Sequence, residues 1–155
     1  MTTGRIFQIN ASEGGVPKLP LAEGRVTAGG LVGDRQRNLK HHGGPQRALC
    51  LFPLEGILDL QAEGHPIYPG AIGENVTIVG LDWRKVTPGV TMQLGNEVRV
   101  EITGYAHPCS NIVAAFSDGN MNRVSAKKTP HRARVYARVL QEGVIRPGDV
   151  VTLEP

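Results

Sequence analysis

The sequence has few cysteines and no long apolar run, and both absences narrow the classes of protein it can belong to. Among its 155 residues are 2 cysteines, which show no paired spacing and are too few for a disulfide framework. This usage is typical of a reducing compartment. No apolar run approaches the roughly 20 residues of a membrane-spanning helix, and the first residues lack the apolar core of a signal peptide. We therefore expect a cytoplasmic protein that does not cross a membrane.

Aromatic residues are scarce, at 5%, and acidic residues are absent from one whole segment. Between residues 119 and 141 there are six Lys or Arg side chains and no Asp or Glu. Such a segment attracts anions, so Lys127 and Lys128 are candidates to face an anionic small molecule or cofactor. No Phe or Trp lies between these charges and no nucleic-acid-binding motif surrounds them, which makes RNA or DNA an unfavoured partner. The alternative is a solvated strand and loop.

Glycine and proline, at 20 and 11 residues, separate short segments of alternating or continuous apolar character. A helical spacing of apolar residues occurs after Pro53 and up to Gly64, and a shorter helix is expected at 110–116. Strands are expected at 5–10, 25–27, 47–52, 75–79, 90–94, 98–103 and 134–139, and two more strand pieces are expected within 144–153 on either side of a Pro-Gly-Asp turn. The sequence thus predicts a mainly β protein, a curled and largely antiparallel sheet or barrel, in a single domain over 1–155. Residues 12–21 are expected to form a mobile loop.

Two of the expected strands make specific predictions about burial. Cys50 lies in a continuous apolar strand and is therefore predicted to be a core residue. Residues 134–139 alternate, which predicts a half-exposed strand whose polar face carries Arg134, Tyr136 and Arg138.

The segment from Gly33 to Arg47 contains four cations, two histidines and three glycines. Arginine offers a fork of donors to phosphate or carboxylate, and glycine lets backbone amides approach a ligand, so this composition suits an anion pocket. A solvated loop in which Asp34 caps a turn is the alternative. The adjacent histidines have no His-x-x-x-His or Cys-x-x-Cys companion, so a zinc site is not favoured.

Two further positions could carry chemistry. Glu74, in Gly73-Glu74-Asn75, could accept a hydrogen bond or act as a base, although the tripeptide could equally be a turn that enters a strand. Cys109 follows a strand and precedes a short helix, a position where a thiolate can be a nucleophile or a metal ligand. The alternative for Cys109 is a small buried side chain, which is the usual state of a free cysteine.

Four motifs occur in an order that resembles the MOSC family, named for the C-terminal domain of molybdenum-cofactor sulfurase and including small free-standing bacterial proteins. They are Gly33-Asp34, the run from His42 to Ala48, the run from Gly73 to Thr77, and Pro108-Cys109. The similarity covers about residues 22–153, which are the expected domain core. It implies a β-barrel with a pocket lined by the His-Gly-Gly, Gly-Glu-Asn and cysteine segments.

The resemblance also implies roles for individual residues. In the family, the matching cysteine is proposed to carry sulfur as a persulfide or to ligate the molybdenum of a pterin cofactor, so Cys109 is the expected catalytic thiol and metal ligand. His42 and Glu74 are expected to assist catalysis. The expected cofactor-binding residues are Asp34, Arg35, His42, Gly43, Gly44, Arg47, Glu74, Asn75, Lys127 and Lys128. In the carrier mechanism, a pyridoxal-phosphate-dependent cysteine desulfurase is the expected sulfur donor.

The resemblance therefore implies one of two functions, that of a sulfur transferase or carrier and that of a component of a molybdenum-dependent reductase. An alternative from another class is a non-catalytic anion- or nucleotide-binding module in which Cys109 is only structural. Rapid alkylation of Cys109, blocked by an anionic ligand, would favour the first two over the third.

Overall fold

A computed structural model describes residues 3–35 and 44–154 of the chain. These residues form eleven strands, one α-helix and five short 3-10 helices. The strands are β1 Thr3–Ala11, β2 Leu19–Leu21, β3 Gly24–Thr27, β4 Gly30–Leu31, β5 Leu49–Pro53, β6 Val76–Val79, β7 Thr91–Leu94, β8 Val98–Tyr105, β9 Val135–Gln141, β10 Gly143–Ile145 and β11 Val150–Glu154. Helix α1 is Leu54–Ala62, and the 3-10 helices are Pro45–Arg47, Trp83–Lys85, Ser110–Ala115, Met121–Val124 and Pro130–Arg132.

Seven strands close into a barrel in the order β11-β7-β8-β9-β5-β6-β1, with β1 pairing back to β11. Strand β2 pairs with β1 outside this ring, and β10, β3 and β4 form a separate small sheet. The strands β5 and β6 are parallel, whereas the other paired strands are antiparallel. The expected mainly β, barrel-like and largely antiparallel fold is therefore confirmed.

Strand β5 is buried on both of its faces. Leu49 and Leu51 belong to the main apolar cluster of the barrel, whereas Phe52 belongs to a second cluster on the opposite face. Successive side chains of a strand point to opposite faces, so Cys50 shares the outer face with Phe52. A strand buried on both faces needs a continuous apolar sequence, which explains the pattern Leu-Cys-Leu-Phe.

A helical layer covers this outer face. Helix α1 connects β5 to β6, and its Ile57 and Leu60 pack in the second cluster with Phe52. The 3-10 helix Ser110–Ala115 adds Ile112 to the same cluster. The small β10-β3-β4 sheet packs elsewhere, against the main cluster. The site described below lies between the barrel and the helical layer.

Two sequence-based expectations about local structure are wrong. Leu19–Leu21, expected within a loop, forms β2 against β1, because its backbone finds partners on β1. Arg134 and Tyr136, expected on a solvent-exposed face, are only 5% and 7% exposed, because the helical layer covers that face of the sheet.

None of the helices within residues 3–35 and 44–154 has the length and apolar character that a membrane-spanning helix needs.

Gly70 lies in close contact with the backbone at Lys18, and substitution of this glycine tests that contact. It adopts φ 88°, and a Cβ there would collide with the carbonyl oxygen of Lys18, whereas Gly64, at φ 95°, has nothing within 4 Å of its Cβ position. Gly64→Ala should cost about 1 kcal/mol of unfolding free energy from backbone strain. Gly70→Ala should cost about 2 kcal/mol more, because the clash is added to the same strain. Urea unfolding measures both, and equal losses would contradict a close contact with Lys18.

Candidate active site

A cleft opens on the outer face of β5 and β9, and it encloses about 460 Å³ including the solvent at its mouth. Elements distant in sequence contribute to its walls, from the loop before β2 to strand β9. The lining residues are Gly15, Val16, Lys18, Cys50, Ile72, Gly73, Cys109, Asn111, Ile112, Arg134 and Tyr136. The cysteine and the Gly-Glu-Asn segments of the sequence prediction therefore meet here through Cys109 and Gly73.

Cys109 lies at the start of the 3-10 helix Ser110–Ala115 and is half-buried. Its segment leaves strand β8 with Ala106, whose amide donates to the carbonyl of Arg134 at 3.0 Å. The carbonyl of Cys109 accepts from the amide of Ile112 at 3.1 Å, which closes the helical turn. The thiol is thus held in a defined loop and lines a cleft that opens to solvent.

Arg134 joins the two loops that form opposite walls of the cleft. Its Nη1 donates to the carbonyl of Ile72 at 2.9 Å, and its Nη2 donates to the carbonyl of His107 at 3.3 Å. Its Nε is buried without a hydrogen-bond partner, and no carboxylate among residues 3–35 and 44–154 lies within ion-pair distance of its guanidinium. Arginine stays charged at any ordinary pH. The cleft therefore contains a buried positive charge that no carboxylate of these ranges contacts directly, and the buried carboxyl of Glu74 interacts with it only from beyond ion-pair distance.

A chain of polar contacts behind the cleft places Lys18 in its wall. Lys18 is buried and pairs with Asp34, whose Oδ1 lies 2.5 Å from Nζ. The other Asp34 oxygen accepts from the side-chain amide of Asn75 at 2.9 Å. The carbonyl of that amide accepts from the backbone N–H of Cys50, also at 2.9 Å. Asp34 and Asn75 thus position Lys18 and Cys50, and they do not themselves line the cleft.

Glu74 is fully buried next to this chain and is not part of the cleft lining. Its Oε2 accepts from the hydroxyl of Thr77 at 2.9 Å, and its Oε1 has no partner in the described part of the chain. Burial raises the pKa of the Glu74 carboxyl above 4.5, which favours its neutral form. Its contacts indicate a packing role, and its predicted part in catalysis stays a prediction.

Cys50 and Tyr136 form the floor of the cleft and keep their protons at neutral pH. Burial raises the pKa of the Cys50 thiol to about 11 and the pKa of the Tyr136 hydroxyl to about 12. Cys50 is buried, as predicted, although it also faces the cleft. The guanidinium of Arg47 lies 5.3 Å from the centroid of the Tyr136 ring, which places this predicted cation beside a residue of the lining.

The other predicted site residues lie away from the cleft or outside the described residues. Arg35, Gly44, Lys127 and Lys128 are exposed and are not among the lining residues. His42 and Gly43 lie outside the described residues. In the described ranges there is no group of three or more His, Cys, Asp or Glu side chains that could hold a metal ion. Cys109 alone is therefore the candidate protein ligand for a metal in these ranges.

Sequence reasoning missed Lys18, Arg134 and Tyr136 as members of the site. The alternation of β9 correctly put Arg134 and Tyr136 on one face, but the cover over that face comes from helices far away in the sequence. The available signal was their spacing: Tyr136 pairs with Cys50 on the neighbouring strand, and Arg134, two residues earlier, lies on the same face as Tyr136. No sequence signal marked Lys18, since it sits in a segment that resembles an ordinary loop.

The fold and cleft define a class of β-barrel protein with a thiol and buried cations on the outer face of the barrel. The sequence matches the MOSC domain family over residues 38–152, so the chain belongs to the MOSC family. Relatives agree with this assignment. YflK of Bacillus subtilis (strain 168) is 32% identical over 117 residues, which are 75% of this chain and 52% of YflK. A protein of Gibberella moniliformis named as a reductase is 30% identical over 82% of this chain and 23% of its own length.

Solved structures show the same fold. YiiM from Geobacillus stearothermophilus superimposes with a TM-score of 0.71 at 27% identity, covering 98% of this chain and 75% of YiiM. YuaD from Bacillus subtilis gives a TM-score of 0.78 at 15% identity, covering 97% of this chain and 95% of YuaD, and at that identity supports the fold alone. The chain spans about half or less of the length of the curated relatives it matches.

The different settings of the two thiols predict selective alkylation. In the native protein at neutral pH, iodoacetamide should label Cys109 at least about tenfold faster than Cys50, because Cys50 is buried and protonated. Peptide mapping by mass spectrometry measures both rates. Cys50→Ser should leave the fast phase intact and Cys109→Ser should remove it. Equal labelling of both thiols would contradict the described burial.

The raised pKa of Glu74 predicts a pH dependence of stability. The folded protein binds the carboxyl proton more tightly than the unfolded chain does, so the stabilisation is complete below about pH 4.5 and is lost as pH rises through the higher folded pKa. Glu74→Gln, which cannot ionise, should lack this decline. Urea unfolding from pH 4.5 upward gives the two profiles, and parallel profiles would show that Glu74 does not titrate in that range.

Proposed function

We propose that this MOSC domain carries sulfur as a persulfide on Cys109. The observation that supports the proposal is the half-buried thiol in a cleft whose buried cation, Arg134, has no ion-pair partner in the described ranges. A persulfide is an anion at neutral pH, and an uncompensated guanidinium in the same cleft stabilises it. The motifs of the MOSC family point to the same cysteine.

The transfer step uses only groups that the cleft and a donor supply. The Cys109 thiolate attacks the outer sulfur of a persulfide on a donor protein, for which a cysteine desulfurase is our candidate. A new bond forms to Sγ, and the donor leaves as a thiolate. Delivery to an acceptor reverses this exchange. Cys50 and Tyr136 remain protonated at neutral pH, so they do not compete as nucleophiles.

A second candidate is the binding of a pterin-type molybdenum cofactor. The described residues offer one soft thiolate and no cluster of other ligands, a donor set that fits a metal whose remaining ligands belong to the cofactor. Cys109 would be the protein ligand, and Arg134 and Lys18 would face anionic groups of the cofactor. When bound, the metal would supply the redox chemistry. The similarity to a named reductase supports this candidate.

A purely structural Cys109 in a non-catalytic anion-binding module is less well supported. A structural cysteine is normally fully buried, whereas Cys109 is half-buried and lines the cleft. Anion binding by the cleft is compatible with either proposal above and does not need a passive thiol.

The proposal predicts that Cys109 is required for sulfur loading. Wild-type protein incubated with a cysteine desulfurase, pyridoxal phosphate and cysteine should gain one sulfur atom on Cys109 by intact-mass and peptide analysis. Cys109→Ser should gain none, and Cys50→Ser should load like wild type, since Cys50 is not the acceptor.

The same variants test the second candidate. After purification from a host that makes the molybdenum cofactor, elemental analysis should find molybdenum in the wild type and not in Cys109→Ser if that candidate is correct. A Cys109→Ser protein that retained both sulfur loading and molybdenum would overturn both candidates.

A further inference from the structure

The two buried cations of the cleft differ in how their charges are balanced. Lys18 has an ion pair with Asp34, and both side chains are nearly inaccessible to solvent. Arg134 is buried to a similar degree, yet its hydrogen bonds go to two neutral carbonyls, and the buried Glu74 carboxyl interacts with its charge only from beyond ion-pair distance. A charge that is taken out of water without an opposite charge is costly unless a ligand supplies that charge. The buried charge of Arg134 therefore favours the binding of one anion in the cleft.

The geometry of Arg134 indicates where this anion binds. Its terminal nitrogens point to the carbonyls of Ile72 and His107, but its Nε–H is buried without an acceptor. Since Arg134 and Cys109 line the same cleft, an oxygen that accepts from Nε–H would place the rest of a ligand beside the thiol. The exposed amide side chain of Asn111 lies in the same lining and offers a neutral donor.

The shape of the cleft favours a small anion. Gly73, in the wall, adopts φ 93°, and a Cβ there would lie 3.2 Å from Cγ1 of Val16 and 3.8 Å from Cε of Lys18. Ile72 and Ile112 close the deep part with apolar surface. A compact oxyanion with a transferable sulfur satisfies the buried charge, the free Nε–H and the neighbouring thiol together.

We propose that the cleft binds a sulfane-sulfur oxyanion, of which thiosulfate is the simplest, with Arg134 holding its oxygens while Cys109 takes its outer sulfur. This inference rests on the proposed sulfur-carrier function and names a small-molecule donor for it. The Cys109 thiolate attacks the outer sulfur of thiosulfate and a bond to Sγ forms. The sulfur–sulfur bond of thiosulfate breaks, and sulfite leaves with the electron pair. The products are the Cys109 persulfide anion and sulfite, so atoms, charge and electrons balance without another reactant.

The test compares two reagents that react with the same thiol. Wild-type protein with thiosulfate should release one equivalent of sulfite and gain one sulfur on Cys109, and the rate should saturate with thiosulfate. The rate of alkylation by neutral iodoacetamide reports the reactivity of the thiol itself. Any general change at Cys109 alters both rates, so their ratio isolates recognition of the anion.

Arg134→Gln should lower this ratio by at least about tenfold, because a charge-assisted contact to the oxyanion is lost. Arg138→Gln is the matched control, since it removes the same charge from the strand that follows Arg134, at a residue that pairs with Glu101 away from the cleft. It should leave the ratio unchanged. An unchanged ratio in Arg134→Gln would overturn the proposal.

Two further outcomes are decisive even if Arg134→Gln does not fold. In the wild type, sulfate should compete with thiosulfate for loading, and a lack of competition would contradict a built anion site. If thiosulfate gives neither sulfite nor a mass increase while the desulfurase still loads Cys109, this inference fails and the carrier function stands. If neither donor loads Cys109, both fail.

Discussion

The cleft depends on the guanidinium of Arg134 more than on any other single group. Strand β9 lies between β8 and β5, so Arg134, just before it, reaches the loop after β8 on one side and Ile72, just before the Gly-Glu-Asn segment, on the other. A planar group with several fixed donors can satisfy two carbonyls from separate loops and still keep one N–H for a ligand. Lysine has no such fork. One side chain therefore connects the cysteine loop to the loop at Ile72 and also brings a positive charge into the cleft.

The apolar core and the cleft use opposite faces of the same strands. The inward side chains, such as Leu49 and Leu51, belong to an apolar cluster that fills the barrel. The outward side chains of the paired positions, Cys50 and Tyr136, form the floor of the cleft. Because strand side chains alternate, a substitution on the outer face changes the site without opening the barrel interior. This arrangement lets a rigid apolar core hold polar groups at fixed positions.

Local patterns predicted the elements well and the burial of polar groups poorly. The apolar run of β5 and the alternating segments of β7 and β8 depend only on neighbouring residues, so these strands could be predicted directly. The pairing of Asp34 with Asn75 and Lys18 joins segments far apart in sequence, and no local pattern encodes it. The likeness to the MOSC family placed Cys109 in a pocket. It did not reveal Arg134, because the alternation of β9 is identical for a covered face and for an exposed one.

The parallel pairing of β5 and β6 accounts for part of the layer that covers this face, and the 3-10 helix Ser110–Ala115 adds to it. Parallel neighbours cannot be joined by a hairpin, so the chain must cross over the sheet between them, and here the crossover carries α1 and then Ile72 and Gly73. An antiparallel connection would need no crossover, so Cys50, Tyr136 and Arg134 would face water, whose dielectric constant is high. There, the field of a single guanidinium would be screened within a short distance. The crossover between the two parallel strands thus lowers the local dielectric constant around the thiol and the guanidinium.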